Sequence, residues 1–233
     1  MIKLTERLMA AASQVRPGAV LADVGTDHAY LPVYLLEQGI CRRAVASDLR
    51  EGPLAHARRT VENSGFAERV KLVLCDGLEA VPHDVTDIVI AGMGGETILS
   101  ILKAAPFVKQ GDKRLILQPM TDLPLVRRSL ADDGFAIVRE TLAVEQGRFY
   151  VVMTLHYAGQ PQNLGFREQY LIGPCEAPAE IVRRYLAKLR RKYAIQAEGL
   201  RRSATEQSDR LRLLDEILAE ITKMEGELED ESA

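Results

Sequence analysis

The chain has 233 residues, of which 47% are hydrophobic and 27% are charged, and its formal net charge is −3. This length accommodates one α/β domain and a smaller addition, and the balance is that of an ordinary globular protein. No run approaches the roughly 20 apolar residues that cross a bilayer, and the charged N-terminus does not resemble a signal peptide. The three cysteines include no CxxC pair, which argues against a disulfide framework and a zinc site and favours a cytoplasmic location.

Short β-rich runs alternate with helical patterns through the first part of the chain. Five strands are predicted in this alternation, at Val20–Val24, Arg43–Ser47, Val70–Cys75, Asp87–Ala91 and Arg114–Gln118. Helices are predicted between them, at Ala29–Gly39, Pro53–Asn63, Thr97–Ala104 and Pro124–Asp132. Two more strands, Phe135–Leu142 and Phe149–Tyr157, follow without an intervening helix. The pattern predicts a Rossmann-like α/β domain over residues 1–158, with a doubly wound parallel sheet and an antiparallel edge.

Residues 159–233 are predicted to form a C-terminal helical hairpin resembling a coiled coil. Glycines and prolines punctuate its beginning, around a short helix at Phe166–Leu171, and apolar residues at heptad spacing follow from Ala179 onward. Ser203 and Glu206 form a potential capping box, so that one helix ends near Arg202 and a second begins there. A single unbroken helix is the alternative.

Charge is divided sharply along this hairpin. The basic residues of its first half are Arg183, Arg184, Lys188, Arg190, Arg191, Lys192, Arg201 and Arg202. The acidic residues of its second half are Asp215, Glu216, Glu220, Glu225, Glu227, Glu229, Asp230 and Glu231. Two interpretations stay open: the two faces attract each other across the hairpin, or the basic face binds a phosphate backbone.

Acidic residues and glycines follow the predicted strands where a ligand crevice is expected. Asp23 and Gly25 end the first strand, Asp48 ends the second, and Asp76-Gly77 follows the third. The carboxyl ends of parallel strands lie at one edge of the sheet. There Asp48 is placed to accept hydrogen bonds from the ribose hydroxyls of a nucleoside, and Asp76 is placed to accept one from an adenine amine. Helix capping by Asp48 and a simple turn at Asp76-Gly77 are the alternatives. Both the dinucleotide fingerprint and the P-loop pattern are missing, which favours a nucleoside cofactor without phosphates.

Two further segments complete the predicted edge. The fourth strand runs into Ala91-Gly92-Met93-Gly94-Gly95, and the fifth ends in Gln118-Pro119-Met120, which adds an amide. Glycines at a strand-to-helix junction expose the backbone to a ligand, although a tight turn without a ligand has the same composition.

These motifs together resemble one family. Asp23-Val24-Gly25-Thr26-Asp27-His28-Ala29-Tyr30-Leu31-Pro32, the glycine segment at 91–95 and Gln118-Pro119-Met120 are similar to the bacterial tRNA (adenine-22-N1)-methyltransferase family, over roughly residues 4–157. The resemblance implies a class I methyltransferase fold, S-adenosylmethionine as methyl donor and tRNA as acceptor. The cofactor residues that it implies are Asp23, Gly25, Asp48, Leu49, Asp76, Gly77, Ala91, Gly92, Met93 and Gly94.

The acceptor pocket is predicted beside the end of the first strand. Asp27, His28 and Tyr30 are the candidate catalytic residues, with a helix cap, a structural histidine and a core tyrosine as their respective alternatives. The candidate substrate-binding residues are Gly95, Gln118, Pro119, Arg190, Arg191 and Lys192. Adenine N1 has an in-plane lone pair, so no metal is expected. A monomer is favoured, and a methyltransferase for another RNA or a small molecule, or a non-catalytic adaptor, are the competing functions.

Overall fold

Residues 2–202 and 208–230 are described by the computed structural model. The strands are β1 Ala19–Val24, β2 Cys41–Asp48, β3 Val70–Leu74, β4 Asp87–Met93, β5 Arg114–Pro119, β6 Phe135–Glu145 and β7 Arg148–Tyr157. The helices are α1 Glu6–Ala12, α2 Tyr30–Glu37, α3 Glu51–Ser64, α4 Gly95–Ala104, α5 Leu123–Asp132, α6 Phe166–Tyr170, α7 Ala179–Arg202 and α8 Ser208–Asp230. Every predicted strand and helix is present, with ends displaced by at most three residues.

The seven strands form one sheet in the order β3-β2-β1-β4-β5-β7-β6. β1 to β5 are mutually parallel, whereas β7 lies antiparallel to both β5 and β6. The predicted doubly wound sheet with an antiparallel edge is therefore confirmed. The chain order reverses between β1 and β4, and ligands of open α/β sheets bind in the crevice at such a reversal.

Helices cover both faces of the sheet. Successive residues of a strand point to opposite faces, so apolar side chains on each face need a layer of helices to bury them. Along β1, Val20, Ala22 and Val24 join a core formed with α4, α5 and the C-terminal helices. Leu21 instead joins a second core that α1, α2 and α3 complete. Strands buried on both sides explain the continuous apolar runs in the sequence.

α7 and α8 pack as an antiparallel hairpin. Arg201 contacts Asp215, and Arg190 contacts Glu225, so residues further apart along the chain meet further from the turn. These contacts exclude the unbroken helix. The predicted helix end near Arg202 and the capping box of Ser203 and Glu206 fall at residues 203–207, outside the described residues. Tyr185 and Leu186 of α7 belong to the same core as the sheet, so the hairpin is anchored to it.

Within the described ranges, no helix is long and apolar enough to span a membrane.

Candidate active site

The three predicted acidic positions lie along one edge of the sheet. Asp23 is opposite Ala46 of β2, Asp48 ends β2 opposite Leu74, and Asp76 follows two residues after the end of β3. Since β1, β2 and β3 are adjacent and parallel, their carboxyl ends meet at the same edge. The predicted gathering of acids is therefore present in the fold.

Asp48 is nearly buried and holds the turn that leads into α3. Its Oδ1 accepts the backbone N–H of Arg50 at 2.8 Å, while Arg50 occupies the cap position of the helix without a side-chain cap bond. The alternative of Asp48 as the helix cap is therefore wrong, although one of its oxygens orders the turn before α3. Among the described contacts Oδ2 takes none, which leaves it available to a ligand.

A cavity of about 190 Å³ opens beside these acids. Its lining residues are Val24, Gly25, Ser47, Asp48, Leu49, Arg50, Cys75, Asp76, Gly77, Met93, Thr97 and Ile101. Carboxylates at the end of one strand and after the next, with apolar side chains between them, match a nucleoside, whose sugar hydroxyls donate hydrogen bonds and whose base is flat and largely apolar. Five predicted cofactor residues after Gly25 line this space: Asp48, Leu49, Asp76, Gly77 and Met93. Asp23, Ala91, Gly92 and Gly94 do not line it.

Two positions of this edge, Gly25 and Gly95, require glycine for different physical reasons. Gly25 adopts φ +76, a conformation that is strained for any residue with a side chain, and a Cβ there would also displace the terminal methyl of Met93 from the cavity. Gly95 was predicted to contact substrate, but it is buried and a Cβ would lie 2.7 Å from the carbonyl oxygen of Thr121. Its N–H donates to Oγ1 of Thr121, so packing against the α5 turn accounts for this glycine.

The candidate catalytic residues follow β1 in a strained turn. Ala29 has φ 54, a left-handed conformation that costs a residue with a side chain about 1–2 kcal/mol. Ala29 also occupies the cap position of α2 without a side-chain cap bond, so the alternative of Asp27 as the helix cap is wrong. Tyr30 is 43% exposed, so its alternative as a core residue is wrong as well.

The strained turn brings aromatic rings into a stack that the sequence did not predict. The ring of His28 lies nearly parallel to that of Tyr30, with centroids 5.0 Å apart, and nearly parallel to that of His56 of α3, with centroids 4.9 Å apart. Nε2 of His28 is 3.5 Å from Oδ2 of Asp27. Asp27, His28 and His56 thereby bring three potential ligand atoms within 4.8 Å of one another. The sequence could not have linked His56 to residues 27–30, because α3 comes close to them only when the chain is folded.

Gln118, near the end of β5, connects neighbouring segments of this edge through hydrogen bonds. This residue is 1% exposed, and its Oε1 accepts from Nη1 of Arg7 at 3.0 Å and from the N–H of Gly92 at 3.1 Å. Its Nε2 donates to the carbonyl of Pro119. With both ends of the amide engaged, the geometry favours a positioning role over the predicted substrate contact. Arg7, which sequence reasoning missed, reaches this network from α1.

The basic residues predicted to bind substrate divide between two surfaces of α7. Arg190 contacts Glu225 and Arg201 contacts Asp215, so attraction across the hairpin, the first of the two interpretations, is confirmed at these positions. Arg191 and Lys192 are exposed. Nζ of Lys192 lies 5.2 Å from the ring of Tyr193.

Comparisons with known proteins agree with this geometry. A family model described as a methyltransferase domain matches residues 4–153. The tRNA (adenine(22)-N(1))-methyltransferase of Bacillus subtilis is 32% identical over 232 residues, covering 93% of this chain and 98% of that protein. The chain belongs to the tRNA (adenine(22)-N(1))-methyltransferase family. The crystal structure of the m1A22 tRNA methyltransferase of B. subtilis has a TM-score of 0.79 at 31% identity, covering 94% of this chain and all of that one.

A second solved structure bears on the methyl donor of this tRNA (adenine(22)-N(1))-methyltransferase family. Streptococcus pneumoniae Sp1610, in complex with S-adenosyl-L-methionine, is 33% identical with a TM-score of 0.79, covering 94% of this chain and all of that one. The cavity described above is lined by Asp48, Asp76 and apolar side chains, and this lining suits a nucleoside cofactor of this kind.

Asp23 gives this member of the family a pH-dependent stability. Burial raises the pKa of Asp23 to about 6, with the charge of Arg7 acting in the opposite direction. The folded state therefore binds the proton more tightly than the unfolded state, so the contribution is complete below pH about 4 and is lost as pH rises through about 6.

We expect Asp23→Asn to become more stable relative to the parent as pH rises from 4 to 6, by about 2 kcal/mol in total. Thermal melts of both proteins at half-unit pH steps, without cofactor, measure the difference. A constant difference across this range would contradict the raised pKa.

Proposed function

We propose that this chain transfers a methyl group from S-adenosylmethionine to N1 of adenine 22 in tRNA. The observation that carries the proposal is the gathering of Asp23, Asp48 and Asp76 at one edge of the sheet, beside a cavity whose apolar and acidic lining suits a nucleoside. The family relationship supplies the acceptor.

Each of the cofactor residues would bind a different part of S-adenosylmethionine. Asp48 offers Oδ2 to the ribose hydroxyls, while its Oδ1 remains on the turn. Asp76 and Leu49 lie at the mouth, where Asp76 accepts the adenine amine and Leu49 covers an apolar surface. Gly25 and the glycine segment at 91–94 let the backbone approach the amino-acid part. S-adenosylmethionine supplies an electrophilic methyl group when bound.

Asp27, His28 and Tyr30 would form the acceptor side of the site. Tyr30 is the exposed end of the ring stack, so the target base can continue that stack after it leaves its place in the tRNA. Holding N1 in line with the methyl group contributes the largest share of the acceleration, since orientation is worth up to ~7–11 kcal/mol. Asp27 stabilises the positive charge of the methylated ring or accepts its N6 proton.

The two parts of the chain, divided at the proposed boundary between residues 158 and 159, have different roles. Residues 1–158 bind the methyl donor and the target base, and residues 159–233 hold the tRNA through exposed cations such as Arg191 and Lys192. Arg190, which contacts Glu225, would have to exchange that partner to join them. The proposal includes a cytoplasmic location, where tRNA is the substrate, and a monomer, because one chain carries both parts.

Methylation of unmodified tRNA with labelled S-adenosylmethionine, followed by nucleoside analysis, tests the function. The expected product is 1-methyladenosine, lost when adenine 22 is replaced by another base. A different methylated nucleoside would redirect the assignment to another RNA methyltransferase. Failure to bind the donor at all would favour the non-catalytic adaptor.

We expect Asp48→Asn to weaken binding of S-adenosylmethionine about 10- to 100-fold. Asparagine still accepts the N–H of Arg50, but the hydrogen bonds of a charged acceptor, about 1.5–3 kcal/mol, are lost. Titration calorimetry measures the change. Glu51→Gln, an exposed neighbour in the first turn of α3, is the matched control and should bind normally. Equal affinities of the two variants would remove Asp48 from the cofactor site.

A further inference from the structure

A larger cavity, of about 490 Å³, lies between the end of β5 and α7 and is separate from the cofactor cavity. Pro119 and Met120 form one wall, and the N–H of Met120 donates to the carbonyl of Met93 at 2.8 Å. This bond connects the wall to Met93 at the end of β4, a residue that lines the cofactor cavity. The volume is within the range of pockets that bury a small organic ligand.

Aromatic residues from three elements also line this cavity. Phe149 comes from β7, Tyr170 from α6, and Tyr185 and Tyr193 from α7. The ring of Tyr150, the next residue of β7, lies instead 5.8 Å from the guanidinium of Arg7 on the opposite face of the sheet. The hydroxyls of Tyr185 and Tyr193 donate to the carbonyls of Leu171 and Tyr170, so these two rings are fixed in place. A fixed aromatic wall suits a flat ring system, since each base stacked on such a ring gains about 1–3 kcal/mol.

Lys188 and Lys192 of α7 line the same cavity, and Arg184 continues their row one turn earlier along the helix. Arg184, Lys188 and Lys192 are four residues apart, so they share one face of α7, and all three are exposed. The side chains of Arg184 and Lys188 lie 5.8 and 5.6 Å from the ring of Phe149. Across residues 2–202 and 208–230, none of the three forms an ion pair with a carboxylate, in contrast to Arg190 and Arg201.

We propose that this cavity binds a second nucleotide of the RNA substrate, distinct from the adenine that is methylated. Its base stacks against Phe149 and Tyr193, and its phosphates contact Arg184, Lys188 and Lys192. The inference rests on the proposed function, because it takes RNA as the substrate. A nucleotide is favoured because it combines a flat ring, which suits the aromatic wall, with an anionic phosphate, which suits the cationic row.

Neutralising the row tests the phosphate contacts. We expect Arg184→Gln/Lys188→Gln to weaken tRNA binding and to lower the slope of log Kd against log salt by about 1.4–1.8, which corresponds to two lost phosphate contacts. Lys223→Gln, an exposed lysine of α8, is the matched control and should leave the slope unchanged. An unchanged slope in the double variant would overturn the proposal.

The ring contact has a different signature. We expect Phe149→Leu to weaken tRNA binding about 10-fold without changing the salt slope, because a base carries no charge. A photoreactive phenylalanine analogue at position 149 should crosslink to a single nucleotide of unmodified tRNA other than the methyl acceptor. The same analogue at Ile195, which is 64% exposed on α7, controls for random labelling.

The outcomes separate this inference from the function itself. Crosslinking to the target adenine, or to scattered nucleotides, overturns the second-nucleotide pocket even when 1-methyladenosine is formed. Crosslinking abolished by free adenosine monophosphate at low micromolar concentration would mean that the cavity binds a free nucleotide instead. Failure to methylate any tRNA contradicts the proposed function, whatever the crosslink shows.

Discussion

Replacing Asp27 with asparagine is expected to lower kcat for tRNA methylation about 100-fold while leaving the affinity for S-adenosylmethionine unchanged. Methyl transfer turns a neutral adenine into a cation, and a carboxylate beside that ring stabilises the charge as it develops. Asp27 is 70% exposed in the side chain, so its charge acts at full strength only after tRNA has displaced water from the site. Single-turnover methylation with saturating tRNA measures the chemical step directly.

The comparison with Glu62→Gln gives this experiment its control. Glu62 is an exposed carboxylate of α3 that lines neither cavity, so its loss changes the net charge equally without touching the site. A fall in kcat that is the same for both variants would mean that net charge, not position, is responsible. A rise in the Kd for S-adenosylmethionine in Asp27→Asn alone would move Asp27 from the acceptor side to the cofactor side.

The edge of acids could be predicted because it depends on a rule of topology. Once β1, β2 and β3 are recognised as parallel strands, Asp23, Asp48 and the residues after Leu74 must meet at their carboxyl ends. The hairpin was predictable for a similar reason, since apolar spacing along a helix specifies which side is buried.

Residues that reach the site from elsewhere could not be predicted in this way. Arg7 arrives from α1 and His56 from α3, and nothing in the local pattern of either helix relates it to β1 or β5. The left-handed conformation of Ala29 was equally hidden, because an alanine carries no sequence signal for it. The division of the cations on α7 depended on which face meets α8, and this required the packed hairpin.

Replacing Glu140 with glutamine is expected to lower the melting temperature by about 6–20 °C. Oε1 and Oε2 of Glu140 accept from Nε and Nη2 of Arg127 at 2.7 and 2.9 Å, and Oε2 also accepts the N–H of Gly173 at 2.9 Å. Both charged side chains are almost completely buried. Glutamine would leave the guanidinium charge buried without a counter-charge, at a cost of about 3–5 kcal/mol.

This pair joins the sheet to the segment that leads into the hairpin, since Arg127 belongs to α5, Glu140 to β6 and Gly173 to the turn after α6. Glu176→Gln breaks the exposed pair with Arg139 and serves as the control, with a loss below about 1 kcal/mol. Because a buried pair also carries a desolvation cost, the apolar double variant Arg127→Met/Glu140→Leu should regain most of the lost stability. If the double variant melts as low as Glu140→Gln, the lost bond to Gly173, and not the uncompensated charge, accounts for the lower melting temperature.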